Sequence, residues 1–216
     1  MTTQIKICGL LTPAAVDAAI LHGASHIGLN FFAKSPRYVT PQQAGALARH
    51  AGGRIKIVGL FVDASPAEID QIRIHVRLDV IQLHGAERPA LVAQIGQRGG
   101  LETWKAVPIR SAEDLKAAHK YRGAAHRILY DAKPGEGADL PGGNGLPFDW
   151  ELLRGAAHPL PWALAGGLHL GNVAEALRIS AAPMVDVSSG VESRPGVKDV
   201  DKIVRFCQAV REYDSA

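Results

Sequence analysis

Short apolar runs rich in Ile, Val and Leu recur along the chain, beginning near Ile5, His26, Ile55, Asp79, Leu101, Arg127, Trp162 and Met184. Most starts are roughly 20 to 35 residues apart, the length of one strand–helix unit. Helical spacing fills most of the gaps. Thr12-Pro13 supplies an N-cap hydroxyl and a proline for the first helical position, ahead of Ala15, Val16, Ala19 and Ile20, and Gly23 ends the pattern. Thr40-Pro41 repeats the device before Ala44, Leu47 and Ala48. Ser65-Pro66 repeats it again, with Glu68 as a capping-box carboxylate and Ile69 and Ile72 on the buried stripe. Strands alternating with helices predict a parallel sheet with right-handed crossovers. Eight such units predict an α/β fold, a closed (β/α)8 barrel in which residues 1–216 form one domain. An open doubly wound sheet is the rival.

Side chains alternate across a strand, so the pattern also says which residues enter the barrel. In Ile5-Lys6-Ile7-Cys8 the isoleucines pack under the helices, leaving Lys6 and Cys8 to point inward. The same test turns Asn30, Gln82, His84, Asp186 and Ser188 inward and puts Asp131 at the end of the sixth strand. These polar residues gather near the C-terminal strand ends, where barrels of this kind carry their active sites.

Composition changes the picture little. Apolar residues at 47% and charged residues at 21% suit a globular chain, and the net charge of +3 comes without a basic run. That argues against nucleic acid. No apolar stretch approaches about 18 residues and no signal-peptide pattern opens the chain, so the expectation is a cytoplasmic protein without membrane attachment. The two cysteines, Cys8 and Cys207, form neither a disulfide framework nor a zinc spacing. Dispersed histidines and the lack of a G-x-G-x-x-G helix start imply no metal and no cofactor. Oligomeric state leaves no trace in the sequence.

The seventh strand ends in Ala165-Gly166-Gly167-Leu168 and the eighth in Ser188-Ser189-Gly190. Glycine permits close backbone approach, and turns after the last two barrel strands commonly bind phosphate. A phosphorylated small molecule is the implied ligand. Cys8 is a buried packing residue or, as a thiolate, a base or nucleophile. Cys207, among Val204, Phe206 and Val210, reads as packing. Asp131 either exchanges protons at the barrel mouth or caps a turn. Lys6 and Asp186, charges in a barrel core, call for each other as partners. Arg37, in Lys34-Ser35-Pro36-Arg37-Tyr38, is a solvated surface charge or a bidentate clamp for a carboxylate. His84 touches the ligand or supports a residue that does. The Gly- and Pro-rich stretch 134–147 reads as a functional loop after strand six.

These segments resemble the phosphoribosylanthranilate isomerase family. The likeness rests on Ile5-Lys6-Ile7-Cys8-Gly9, Lys34-Ser35-Pro36-Arg37-Tyr38-Val39, Gly59-Leu60-Phe61-Val62 and Ile81-Gln82-Leu83-His84-Gly85. It continues through Asp131-Ala132-Lys133, Phe148-Asp149-Trp150, Ala165-Gly166-Gly167-Leu168 and Asp186-Val187-Ser188-Ser189-Gly190-Val191-Glu192, in order over almost the whole chain. The resemblance implies an Amadori rearrangement of N-(5-phosphoribosyl)anthranilate, with Cys8 as general base and Asp131 as general acid. It implies Arg37 on the anthranilate carboxylate and the Gly-rich turns on phosphate. Phe31-Phe32-Ala33 departs from the family's usual Tyr-Pro at this place. The alternatives are a neighbouring phosphosugar barrel enzyme of the tryptophan or histidine pathway, and a catalytically silent barrel that binds a phosphometabolite.

Overall fold

The computed structural model describes residues 2–133 and 148–216. The strands are β1 (Gln4–Cys8), β2 (His26–Asn30), β3 (Lys56–Phe61), β4 (Val80–Leu83), β5 (Glu102–Ile109), β6 (Arg127–Ala132), β7 (Trp162–Leu164) and β8 (Met184–Val187). All pair in parallel and in chain order, and β8 returns to β1 to close the barrel. Each starts within one residue of the position the apolar pattern predicts. The open-sheet rival is excluded.

The helices follow their caps. Thr12, Thr40 and Ser65 cap α1 (Pro13–Leu21), α2 (Pro41–Ala51) and α3 (Pro66–Arg73), each with proline in the first turn. Ser65 and Glu68 form the expected capping box, and Thr40 with Gln43 forms a second one. Then come α4 (Pro89–Gly99), α5 (Ala112–Ala117), α6 (Val173–Ser180) and α7 (Val200–Ser215). In the sixth crossover the described residues form only a short 3-10 turn, Trp150–Leu153. The stretch 134–147, read above as a functional loop, lies outside the described residues. A hairpin absent from the sequence reading, β9 (Glu192–Arg194) with β10 (Val197–Lys198), follows β8. No helix is long and apolar enough to cross a membrane among the described residues.

The alternation along the strands produces two concentric cores. Ile5, Ile7, Ile27, Leu29, Ile81 and Leu83 belong to the layer between sheet and helices, where Cys207 is also fully buried. Val58, Val80, Trp104, Leu129, Ala163 and Met184 belong to a separate cluster inside the barrel. Burying one such side chain contributes about 1.5–3 kcal/mol. The apolar plug fills the lower barrel and leaves the polar inward residues at the upper rim. One charged residue at an outward position breaks the rule: Lys105 is buried beneath the helices, beside Glu87.

Candidate active site

Lys6 and Asp186 meet inside the barrel, as their facing strands require. Lys6 Nζ lies 2.9 Å from both Asp186 carboxylate oxygens, and their strands pair in register at these two residues. Burial favours loss of the Lys6 charge, but Asp186 and the neighbouring Cys8 outweigh it and hold the ammonium pKa above its usual value. Cys8 is one inward position further along β1. Burial pushes its thiol pKa up, and the Lys6 charge opposes that push. The inward position facing this pair is Gly28, where a side chain would overlap Cys8 Sγ.

Asp131 Oδ1 accepts from the Ala132 N–H at 2.9 Å, and its Oδ2 lies 2.9 Å from His84 Nε2. His84 Nδ1 is 3.0 Å from the Gln82 side-chain nitrogen. Three inward polar residues therefore form one chain. His84 thus contacts Asp131, and its imidazole also lines the cleft.

The base of this rim is held from outside the barrel. Lys105 Nζ donates to the carbonyls of Leu83 (3.2 Å), Gly85 (2.8 Å) and Ala106 (2.7 Å), and lies 3.1 Å from Glu87. The Glu87 carboxylate accepts from the Asp63 and Gly85 backbone N–H groups. This buried pair clamps the turns after β3 and β4 and so fixes where His84 stands. Sequence periodicity gave no sign of it.

Arg37 is only 6% exposed, which overturns its reading as a solvated surface charge. Its Nε and Nη2 donate to the two oxygens of Glu192 at 2.7 and 2.9 Å. The clamp is thus already occupied on one edge by a protein carboxylate, and the remaining guanidinium N–H groups are available to the cleft that Arg37 lines. Asn30 holds the loop that carries it. The Asn30 amide donates to Ser35 Oγ at 3.1 Å and accepts from the Phe32 N–H at 2.9 Å, and Ser35 Oγ accepts from the Arg37 N–H at 3.1 Å. In the departing segment, Phe31 stacks on Phe61 and Phe32 lines the cleft.

The Gly-rich turns sit at the same rim. Gly166 and Gly167 both adopt positive φ, at 84° and 65°. A Cβ on Gly166 would overlap the Ala132 nitrogen and reach to 2.9 Å from Asp131 Oδ1. Gly190 differs from the expectation. It does not line the cleft, and its missing side chain instead lets the β8 turn press against Leu168 and His169. A parallel bridge between His169 and Gly190 ties the two turns together. The resulting cleft encloses about 690 Å³, open mouth included, and brings together Cys8, Asn30, Arg37, His84, Asp131, Gly166, Gly167, Asp186, Ser188 and Ser189. It combines a thiol, a carboxyl group, a cation and bare backbone turns around one small-molecule volume.

Comparison with known proteins shows the chain's relatives in sequence and in fold. A profile of the family described as N-(5'phosphoribosyl)anthranilate (PRA) isomerase matches residues 5–209. An N-(5'-phosphoribosyl)anthranilate isomerase of Paramagnetospirillum magneticum is 52% identical over 211 residues, covering 98% of each chain. The protein of that name from Rhizobium johnstonii is 50% identical over 215 residues, covering 100% of this chain and 97% of its own. The crystal structure of the Thermotoga maritima phosphoribosyl anthranilate isomerase superposes with a TM-score of 0.88 at 32% identity, covering 98% of this chain and 100% of that one. A crystal structure of such an isomerase with reduced 1-(o-carboxyphenylamino)-1-deoxyribulose 5-phosphate superposes at 0.85 and 31% identity, with the same coverage.

Proposed function

The chain belongs to the N-(5'-phosphoribosyl)anthranilate isomerase family, and from that membership we propose that Cys8 is the base and Asp131 the acid of the aldose–ketose rearrangement it catalyses. The enzyme converts N-(5-phosphoribosyl)anthranilate to 1-(2-carboxyphenylamino)-1-deoxyribulose 5-phosphate in tryptophan biosynthesis. The observation that carries the residue roles is the placement of Cys8 and Asp131 on one cleft, bounded by a buried guanidinium and two bare backbone turns.

The chemistry assigns the steps. Asp131 protonates the ribose ring oxygen, the C1–O bond breaks, and the anthranilate nitrogen lone pair forms an iminium with C1. The iminium acidifies the C2 proton, and the Cys8 thiolate removes it. The electron pair moves into a C1–C2 enolamine. Protonation at C1 and loss of the C2 hydroxyl proton then give the ketone, so no net proton is gained or lost.

To act as an acid, Asp131 needs a proton, and the His84 contact constrains where that proton sits. If Gln82 donates to His84 Nδ1, then Nε2 carries the hydrogen and Asp131 is a carboxylate. If the Gln82 amide is turned over, Nδ1 carries the hydrogen and Nε2 accepts from a protonated Asp131.

Arg37 holds the anthranilate carboxylate through its free guanidinium edge. The backbone N–H groups of the Gly166-Gly167 and Ser188-Ser189 turns receive the phosphate. Residues 1–216 act as one domain, a reading supported by the β1–β8 closure and by Thr3 hydrogen-bonding to Asp214 at 2.6 Å. Two free buried thiols and a phosphorylated substrate support a cytoplasmic setting.

Loss of substrate fluorescence measures turnover directly. Cys8→Ala and Asp131→Asn should each lower kcat by about 10²–10⁴-fold while remaining folded. Near wild-type turnover in either variant would overturn that residue's assignment.

A further inference from the structure

Glu192 is not among the residues lining the cleft, yet it orients Arg37, the one Arg or Lys that lines it among the described residues. Its carboxylate takes both Nε and Nη2 of Arg37, and it also accepts from Lys198 Nζ at 2.6 Å. The side chains of all three are nearly excluded from solvent. Lys198 donates as well to the Ser188 carbonyl at 2.9 Å and to Ser188 Oγ at 3.2 Å. Lys202 Nζ holds the Glu192 carbonyl at 2.7 Å. Burial raises the Glu192 pKa less than Arg37 and Lys198 lower it, so its carboxylate is held below the usual range and faces Arg37 ionised.

Backbone packing reinforces the arrangement. Gly196, in the turn between β9 and β10, adopts a φ of 81°, and a Cβ there would overlap the Pro36 carbonyl. Gly9 adopts a φ of 78°, and a Cβ there would come within 2.8 Å of Arg37 Cδ. The first βα turn therefore packs on the arginine stem, and the hairpin packs on the backbone of the residue before it. A guanidinium gripped along its Nε–Nη2 edge can only present the other edge.

We propose that Glu192 is a positioning residue for substrate selection: with Lys198 behind it, it fixes the Arg37 guanidinium so that its free edge accepts the aromatic carboxylate of the substrate. This rests on the role given to Arg37 above. Because the carboxylate is present in ground and transition states alike, the effect falls on binding. The pair also excludes a looser arginine that would accept any anion entering the cleft, including a second phosphate.

The test compares wild type, Arg37→Ala, Glu192→Gln and the double variant. It uses steady-state kinetics and the Kd of two inhibitors, the reduced product analogue and the same molecule with an unsubstituted phenyl ring. Glu192→Gln should raise KM roughly tenfold with kcat little changed, and weaken the carboxylated inhibitor but not the phenyl one. In the Arg37→Ala background it should add nothing to KM. Glu192→Asp, which keeps the charge, should recover part of the loss, and it carries the same comparison if Glu192→Gln does not fold. Equal weakening of both inhibitors, or a KM cost that persists without Arg37, would mean a purely structural role and overturn the proposal. So would an unchanged KM in Glu192→Gln when Arg37→Ala raises it. If Arg37→Ala itself leaves KM and the carboxylated inhibitor untouched, the role of Arg37 fails first and takes the proposal with it.

Discussion

His84 Nε2 lies 2.9 Å from Asp131 Oδ2 and joins the ends of β4 and β6, two strands that are not neighbours in the barrel. The contact makes the proton position on the imidazole and on the carboxyl a single linked variable. His84→Ala should therefore lower kcat with little change in KM. The coupling between His84→Ala and Asp131→Asn should be about 1–3 kcal/mol, so that the double variant is scarcely slower than Asp131→Asn alone. Additive losses in kcat would show that the histidine acts independently of the aspartate.

Cys8 and Asp131 should fail at different steps. With deuterium at C2 of the substrate, Cys8→Ser weakens the base and should strengthen the isotope effect. Asp131→Asn makes ring opening dominant and should weaken it. Shifts in the reverse sense would exchange the two roles.

The pH profile reports on Cys8 through its neighbour. Burial raises the thiol pKa, so kcat/KM should fall at low pH and keep rising with pH past the ordinary thiol range. Lys6 opposes that rise in pKa, so removing its charge should move the limb to still higher pH. Lys6→Met alone strands Asp186 and should cost about 3–5 kcal/mol of stability. Lys6→Met with Asp186→Leu should recover most of that loss; Asp186 pushes the thiol up by less than Lys6 pushes it down, so in this folded double variant the limb should still move to higher pH. A limb that stays in place without Lys6 would remove the lysine from the thiol's environment.

The phosphate end is tested at Gly167, whose φ of 65° and place on the cleft suit a bare backbone. Gly167→Val should raise KM and weaken competitive inhibition by inorganic phosphate in parallel. If phosphate inhibition is unaffected, the anion binds elsewhere.

His26 should set part of the acid limb of stability. Burial, together with Lys56, Lys6 and Arg127, lowers its pKa from 6.5 to about 3, and its ring packs 5.1 Å from Trp104. Above pH 6.5 both folded and unfolded forms are neutral at this residue. As pH falls toward 3 only the unfolded chain takes the proton, so stability declines by about 1.4 kcal/mol per pH unit and levels off below that. Urea unfolding at several pH values should show His26→Leu with a shallower decline than wild type. Parallel slopes would mean that His26 is protonated in the native state.

The sequence by itself determined the barrel, its strand starts, its helix caps and the inward set that includes Cys8, Asn30, His84 and Asp131. These are local properties. A two-residue alternation declares which face a side chain takes, and a Ser/Thr-Pro pair declares a helix start, whatever lies elsewhere in the chain. The closed barrel also made one distant contact foreseeable, since Lys6 and Asp186 had to share the interior of adjoining strands. Only the tertiary structure decided the partners of loop residues and of the outward lysine. Arg37 and Glu192 are 155 residues apart in the chain, on segments with no periodicity to fix their direction. Lys105 occupies an outward position where the pattern calls for an apolar residue, and only the end of β4, the turn after it and the Ala106 carbonyl of β5 together supply the carbonyls and carboxylate that satisfy its charge. Periodicity specifies a face; which charged group waits on that face depends on how the crossovers bring remote turns together.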